Sequence, residues 1–290
     1  MFHGLMVVNA FLRTTKFDDL YHTLLQAAQG AGMTLDVMTN AELCCTVDSL
    51  CPTAYDFVLF WDKDVQLAMQ LESCGMRVFN SAQSILWCDD KALTYLKLKE
   101  TGVPMPRTIL APKTFSAVGY PDLTFLEAVS RALGFPVVVK ECFGSFGQQV
   151  YLAHTMQELT ERVQALAGTP LLFQELIEES YGHDVRINVV GGQVVASMHR
   201  RSTDGDFRSN LTRGGAMEAC NPTAEQEAIA LRAVEALKLD FAGVDVLFGK
   251  NGPLICEVNS NAHFKTTLEC TGVNMADEIM LYIRERLTGE

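Results

Sequence analysis

A change of rhythm near residue 102 limits what this chain can fold into. Before it, short apolar runs alternate with amphipathic stretches. Leu5–Ala10 reads as a buried strand, and Phe17–Gly32 as a helix with Leu20, Leu24, Ala27 and Ala28 on one face. Thr34–Thr39 and Tyr55–Trp61 read as strands, Asp64–Cys74 as a helix, and Arg77–Asn80 as a short strand. A β-α-β succession of this kind predicts a small parallel sheet. No G-x-G-x-x-G follows the first strand, so a dinucleotide site has no support there. Ser81–Thr101 reads as one long helix or two short ones, stopped by Gly102 with Pro104 and Pro106 beyond it. A domain boundary is therefore expected near Gly102–Pro112.

After the boundary, apolar runs come in pairs around turns. Pro136–Lys140 and Gln149–Ala153 flank the loop Glu141–Gln148, and Met156–Leu166 is helical. Leu171–Ile177 is an apolar run that ends in charge. Asp184–Val190 and Gln193–His199 flank Gly191 and Gly192, a strong hairpin signal. Thr223 opens a helix with Gln226 at the capping-box position, running to about Leu239. Val244–Phe248 and Leu254–Val258 make a further hairpin, and Met275–Arg286 a closing helix. The expected fold class is thus an α/β front domain followed by an antiparallel α+β remainder, with a cleft between units. The expected boundaries are 1–85, 86–172 and 173–290.

Charge bears on partners. A net charge of −12 repels nucleic acid and anionic membrane, which excludes them as expected partners, while leaving room for local basic patches that hold small anions. Nine cysteines without a C-x-x-C pair, no signal-peptide pattern and no membrane-length apolar run predict a reduced, cytoplasmic protein.

The sharpest chemical signal lies in the last hairpin. With its turn centred on Asn251, Asp245 falls opposite Glu257, and Asn259 shares the face of Glu257. Val244, Val246, Cys256 and Val258 would point to the other side. Two facing carboxylates repel unless a cation lies between them, and oxygen-only donors suit Mg²⁺ or Mn²⁺. The competing reading is a solvated hairpin face. In the earlier hairpin, Lys140 ends a strand and Gly144-Ser145-Phe146-Gly147 follows, a loop whose amides can wrap an anion with the lysine as point charge. The competing reading is an ordinary glycine-bearing turn. Lys91 lies near a helix start, where a lysine is commonly just solvated. Arg200, Arg201, Arg208 and Arg213 sit in a polar, glycine-rich stretch that reads either as an anion-facing loop or as a surface loop paired with carboxylates.

Taken in order, Asp90-Lys91, the run ending in Lys140, Gly144-x-x-Gly147, Gln174-Glu175-Leu176-Ile177, Asp184-Val-Arg186, Gly205 to Asn210, Gly243-Val-Asp245 and Glu257-Val-Asn259 resemble the ATP-grasp superfamily. The nearest resemblance is to the ribosomal-protein-S6 glutamate ligase and LysW lysine-ligase (RimK-like) group, from about Asp89 to Ile283. It implies an N-terminal pre-ATP-grasp domain and two α+β subdomains that enclose ATP. It implies phosphate contacts from Lys91, Lys140 and the Gly144, Ser145 and Gly147 loop. Glu175 and Leu176 would border adenine, and Asp184 the ribose edge; taken without the other motifs, Asp184 reads as a cap or strand-end carboxylate. Arg208 and Asn210 would face the phosphates and the reacting carboxylate, with Arg208 and Lys140 as the catalytic pair. Asp245, Glu257 and Asn259 would hold Mg²⁺ or Mn²⁺. His183, His199 and His263 have structural roles in this reading.

The implied activity is ATP-dependent ligation of a carboxylate to an amine through an acyl phosphate, with ADP as product, on amino acid or peptide substrates. A homodimer or homotetramer is implied as well. Past Asn259 the chain reads Ser260-Asn-Ala-His-Phe-Lys265, closer to the lysine-ligase pattern than to the Ser-Pro-Gly of glutamate ligases, so the substrate stays open. Lys265 reads equally as a substrate contact or as surface. The alternatives are an ATP-binding regulatory protein of the same fold and a related enzyme that activates a different acid.

Overall fold

The computed structural model describes residues 1–12, 14–44, 46–48, 54–144, 147–209 and 215–289. Its first sheet is parallel. Strand β1 (His3–Val8) pairs with β2 (Thr34–Thr39) on one side and β3 (Phe57–Trp61) on the other, and β4 (Val78–Phe79) follows β3. The order β2-β1-β3-β4 means that the chain reverses its direction of travel between β1 and β3. Helices α1 (Thr15–Gly30) and α2 (Val65–Ser73) are the crossovers, and α2 starts where Asp64 caps Leu67 N. The long helical stretch resolves into α3 (Ala82–Asp89) and α4 (Lys91–Glu100). Asp90 divides them: its extended backbone ends α3, and its carboxylate accepts from Ala92 N and Leu93 N to start α4.

The second sheet, in the order β5-β8-β6-β7, is antiparallel: β5 (Thr108–Leu110), β6 (Val137–Glu141), β7 (Val150–Ala153) and β8 (Leu171–Glu175). Helices α5 (Phe125–Leu133) and α6 (Met156–Ala165) bury Leu126, Val129, Leu159 and Val163 against it. Strand β5 lies within the proline-bearing stretch 104–121 and α5 just after it, and neither is among the elements expected from the sequence.

The third sheet, β11-β10-β9-β12-β13, comprises β9 (His183–Val190), β10 (Gln193–Arg201), β11 (Ala216–Ala219), β12 (Phe241–Gly249) and β13 (Gly252–Asn259). Helix α7 (Ala224–Ala236) packs on it and opens with the expected reciprocal bonds between Thr223 and Gln226. Two closing helices follow, α8 (Lys265–Thr271) and α9 (Met275–Thr288). Helix α9 does not stay with its own sheet. Met275, Ile279, Met280 and Ile283 share one buried core with Leu20, Leu24 and Ala27 of α1 and Met6 of β1. Each buried Met, Ile or Leu here contributes roughly 1.5–3 kcal/mol, so the chain's two ends are locked together. Among the described residues no helix is long and apolar enough to cross a membrane. Among the described residues six cysteines are free thiols, whereas Cys74 is disulfide-bonded, against the expectation of a wholly reduced chain.

Candidate functional site

The site grows from the β12–β13 hairpin. Gly249 pairs with Gly252, so the turn is the two residues Lys250 and Asn251, and Val246 pairs with Ile255. A regular ladder would then set Asp245 against Cys256. A β-bulge at Cys256 takes up one residue, so that Asp245 stands opposite Glu257 after all. The expected pairing is present for a different reason from the expected turn. The bulge has a second effect. Cys256 does not turn away; it lines the cleft, with its thiol 3.7 Å from Lys140 Nζ. Burial pushes that thiol up, against the nearby Lys140 charge.

Asp245, Glu257 and Asn259 line this one cleft together, and so do Lys91, Lys140 and Asp184. Lys91 is not a solvated lysine. It is 8% exposed and starts α4, with Nζ 3.3 Å from Glu257 Oε1 and 3.2 Å from Gly144 O. Lys140 is 6% exposed on β6. Burial alone would lower its pKa, but Cys256, Tyr95 and Glu257 outweigh that and hold the ammonium well above the ordinary lysine value. Two ammonium groups therefore converge beside the carboxylate hairpin. The glycine loop joins β6 to β7, with Gly144 at φ +150° and Gly147 at φ +66°. The φ of Gly144 is one that residues with a side chain rarely adopt, which is why glycine suits that position. Ser145 and Asn210, expected at the phosphates, lie outside the described residues, as does Arg213.

The arginines divide by task. Arg208 grips the glycine loop: its Nη1 donates to Gly147 O at 2.6 Å and to Val150 O at 3.1 Å, while Asp206 holds its other nitrogens at 2.9 and 2.6 Å. Arg200 is buried between two acids. It donates to Asp184 Oδ1 at 2.7 Å and lies 2.9 Å from Asp245 Oδ1. Arg186 is bidentate on Asp245, with Nη2 2.9 Å from Oδ2. Burial would push the Asp245 carboxyl up, but Arg186 and Arg200 hold it below the usual carboxylate range. Asp184 also accepts from Ser209 Oγ at 2.6 Å. The result is a buried chain from Ser209 through Asp184, Arg200 and Asp245 to Arg186. Asp184 is thus neither a cap nor a free strand-end carboxylate. Arg201 stays exposed.

Arg186 and Arg200 were within reach of register arithmetic. Arg186 stands opposite Asp245 on β12, and Arg200 opposite Asp184 on β9. The second pairing needs an irregularity between Val194 and Ala196, since a regular ladder from the Gly191–Gly192 turn puts Arg200 against His183.

Other expectations move. Glu175 lines the cleft, but its carboxylate is engaged by Arg107, from backbone N at 2.7 Å and Nε at 2.8 Å, while Leu176 lines the cleft beside it. Lys265 does not face the cleft wall: its Nζ pairs with Asp19 at 2.8 Å on the exposed surface. His183 and His199 are 3.1 Å apart, and His183 stacks on Phe248 at 4.9 Å. Burial, then Arg201, lowers the His199 pKa.

Among the described residues no three His, Cys, Asp or Glu side chains gather as a metal cage. The donor set lining the cleft for a cation is two carboxylates and one amide, Asp245, Glu257 and Asn259, of which Asp245 is shared with Arg186 and Arg200 and Glu257 with Lys91. It is all oxygen, at the positively walled end of the cleft, and this chemistry fits a hard divalent ion that keeps part of its shell from water or phosphate.

Comparison with known proteins agrees with this geometry. Residues 88–283 match the model of the RimK-like ATP-grasp domain. Human N-acetylaspartylglutamate synthase A is 37% identical over 79% of this chain, which spans only 59% of that protein's length. The ribosomal protein bS6–L-glutamate ligase of Escherichia coli O81 is 35% identical over 76% of this chain and 72% of its own. An uncharacterised Mycoplasma pneumoniae protein is 34% identical over 90% of this chain and 91% of its own. Among solved structures, the ATP complex of D-alanine–D-alanine ligase from Bacillus anthracis superposes with a TM-score of 0.75 at 19% identity, covering 100% of both chains. The RimK-domain protein of Sphaerobacter thermophilus has a TM-score of 0.73 at 21% identity, covering 96% of this chain and 98% of that one.

Proposed function

The chain belongs to the RimK-like ATP-grasp family, and from that premise we propose that it is an ATP-dependent carboxylate–amine ligase whose substrates are amino acids or peptides. The observation that carries the reading is the convergence of Lys91 and Lys140 on the Asp245–Glu257 hairpin within one cleft. ATP would lie with its base beside Leu176, its ribose toward Asp184 and its phosphates between the two lysines and the glycine loop. Asp245, Glu257 and Asn259 would hold Mg²⁺ or Mn²⁺, which supplies charge neutralisation on the phosphate oxygens when bound.

The substrate carboxylate attacks the γ-phosphorus, its oxygen forming the new P–O bond while the bond to the ADP oxygen breaks. The amine then attacks the acyl carbon, loses a proton, and inorganic phosphate leaves. Carboxylate oxygen is a poor leaving group until phosphorylated, so the energy of ATP goes into that exchange. The protein's contribution is position and charge. Lys140 and Lys91 hold anionic oxygens. Arg208, gripping Gly147 O and Val150 O, sets the loop over the phosphates, where it excludes water from the acyl phosphate. This is a different use of Arg208 from direct contact with the transferring group.

The expected boundaries at 85/86 and 172/173 fall inside α3 (Ala82–Asp89) and β8 (Leu171–Glu175), so the units we propose are the first sheet with its helices, the β5–β8 sheet with α5 and α6, and the third sheet with α7; a cytoplasmic setting is proposed for this acidic chain. Calorimetric titration with ATP and MgCl₂ tests the reading directly. Wild type should bind the nucleotide, and Lys140→Ala should bind it more weakly while keeping the same far-ultraviolet spectrum. Equal affinity in the two proteins would remove Lys140 from the nucleotide site.

A further inference from the structure

Beside the nucleotide cleft lies a second concavity, a groove of about 840 Å³. Glu175, Leu176 and Ile177 form a wall of both, so the hinge leading from β8 to the third sheet is the partition between them. One bank is the proline-bearing approach to β5, with Met105 and Arg107, together with Phe135 at the entry to β6. The other bank is the start of α7 and the β12–β13 turn. Backbone bonds tie these walls together: Ile255 N donates to Pro104 O at 2.9 Å, and Glu175 N to Arg107 O at 3.1 Å. Arg107 adds a bond from Nη1 to Ala132 O at 2.8 Å. The shape is therefore built by the fold, and a ligand need not order it first.

Two kinds of chemistry line the groove. Met105, Ile177 and Leu254 are half-buried and Phe135 is 41% exposed, so apolar side chains face water in a concave setting. The charges above them are mostly acidic. Arg107 is neutralised by Glu175, which leaves Lys250 against Glu178, Glu179 and Glu225. Those three carboxylates are exposed, and among the described residues none of them enters an ion pair. Glu225 sits in the first turn of α7, where an acid stabilises the helix dipole. Glu178 and Glu179 lie in a single 3₁₀ turn and have no such task.

We infer that this groove docks an extended basic segment of a partner polypeptide, its apolar side chains against Met105, Phe135, Ile177 and Leu254 and its arginine or lysine side chains toward Glu178, Glu179 and Glu225. A free amino acid would leave much of the 840 Å³ unfilled. An extended chain of several residues fills it and alternates its side chains between the apolar floor and the acidic rim. The same carboxylates repel nucleic acid and anionic surfaces. Docking leaves the nucleotide cleft open, because the hinge separates the two. The inference stands on the groove's own chemistry and does not require the ligase reading.

Fluorescence anisotropy of the whole protein with N-terminally rhodamine-labelled, C-terminally amidated Gly-Arg-Leu-Arg-Leu-Arg tests this. The peptide has neither a free α-amine nor a carboxylate, so ligation cannot consume it. Its binding should saturate at one site and persist at saturating MgATP. Replacing both leucines of the peptide by serine should raise Kd at least about tenfold, the loss of their apolar burial. Glu178→Gln combined with Glu179→Gln should raise Kd about fivefold. Glu235→Gln combined with Glu285→Gln makes the same change of net charge on exposed acids outside the groove, and should leave Kd within about twofold. Equal binding of the serine peptide would mean attraction by net charge alone. Equal losses in the two double variants would place the peptide elsewhere, and displacement by MgATP would place it in the nucleotide cleft. Competition by L-arginine amide at the peptide's own affinity would make the groove a site for a single amino acid. Each of these results, or the lack of saturable binding, would overturn the inference. Calorimetric ATP binding in the same preparations reports on the ligase reading separately.

Discussion

Asn80 is completely buried, and its amide clamps the N-terminal sheet to the third one. Nδ2 donates to Phe241 O at 2.9 Å and to Ser260 O at 3.0 Å, and Oδ1 accepts from Asp240 N at 2.6 Å and Phe241 N at 3.2 Å. Asn80→Ala removes all four bonds in an interior that water does not reach. Carbonyl oxygens have a second lone pair and tolerate the loss better than amides. Stranding the two amides costs about 1–3 kcal/mol each. With the lost packing added, a destabilisation of about 4 kcal/mol is expected, near the upper end for single substitutions. Urea unfolding followed by circular dichroism should show the midpoint fall by on the order of 1 M or more. Asn80→Asp retains the acceptor for both amides but sets a buried carboxylate oxygen against the Phe241 and Ser260 carbonyls, so it should lose at least as much. An Asn80→Ala midpoint within about 0.3 M of wild type would refute the clamp.

Three further outcomes are expected. Lys140→Ala should lower ADP release by about 10²–10³-fold with little change in melting temperature, since the lost ammonium acts on developing phosphate charge; the check is a coupled ADP assay beside a thermal scan. At Gly243 an added Cβ would meet Ala262 Cβ at 2.7 Å and Arg186 Nη1 at 2.9 Å, so Gly243→Ala should displace Arg186 from Asp245 and destabilise by about 1–3 kcal/mol, measured by urea midpoint. Burial raises the Asp240 carboxyl above its ordinary value, against the bond from Tyr282 OH. Its charge therefore opposes folding above that raised pKa, and the penalty fades as pH falls toward the unfolded value. Asp240→Asn should accordingly be the more stable protein at about pH 7, with the difference shrinking toward about pH 4.

Much of this was legible in the residues, and the gaps have physical causes. The front β-α-β rhythm, the Asp90 break and the Thr223–Gln226 cap depend on neighbours in sequence, and they stand where local chemistry puts them. Bulges are different. A hairpin turn predicts register only if the ladder is regular, and both site hairpins contain one irregularity. That turned Cys256 inward and moved Arg200 onto Asp184. The contacts of Asn80, Asn261 and Trp61 span over 160 residues of chain and leave no local periodic signal. Lys265 had the right residue type at a suggestive spacing, and only the position of α1, which brings Asp19 to it, separates surface from site.

The central claim is ligation driven by ATP. Purified protein incubated with ATP, Mg²⁺ and pools of amino acids and short peptides should release ADP and phosphate in a pool-dependent way, and mass spectrometry should find a product equal to two substrates minus water. ADP release without any condensed product, or failure to bind ATP at all, would contradict it.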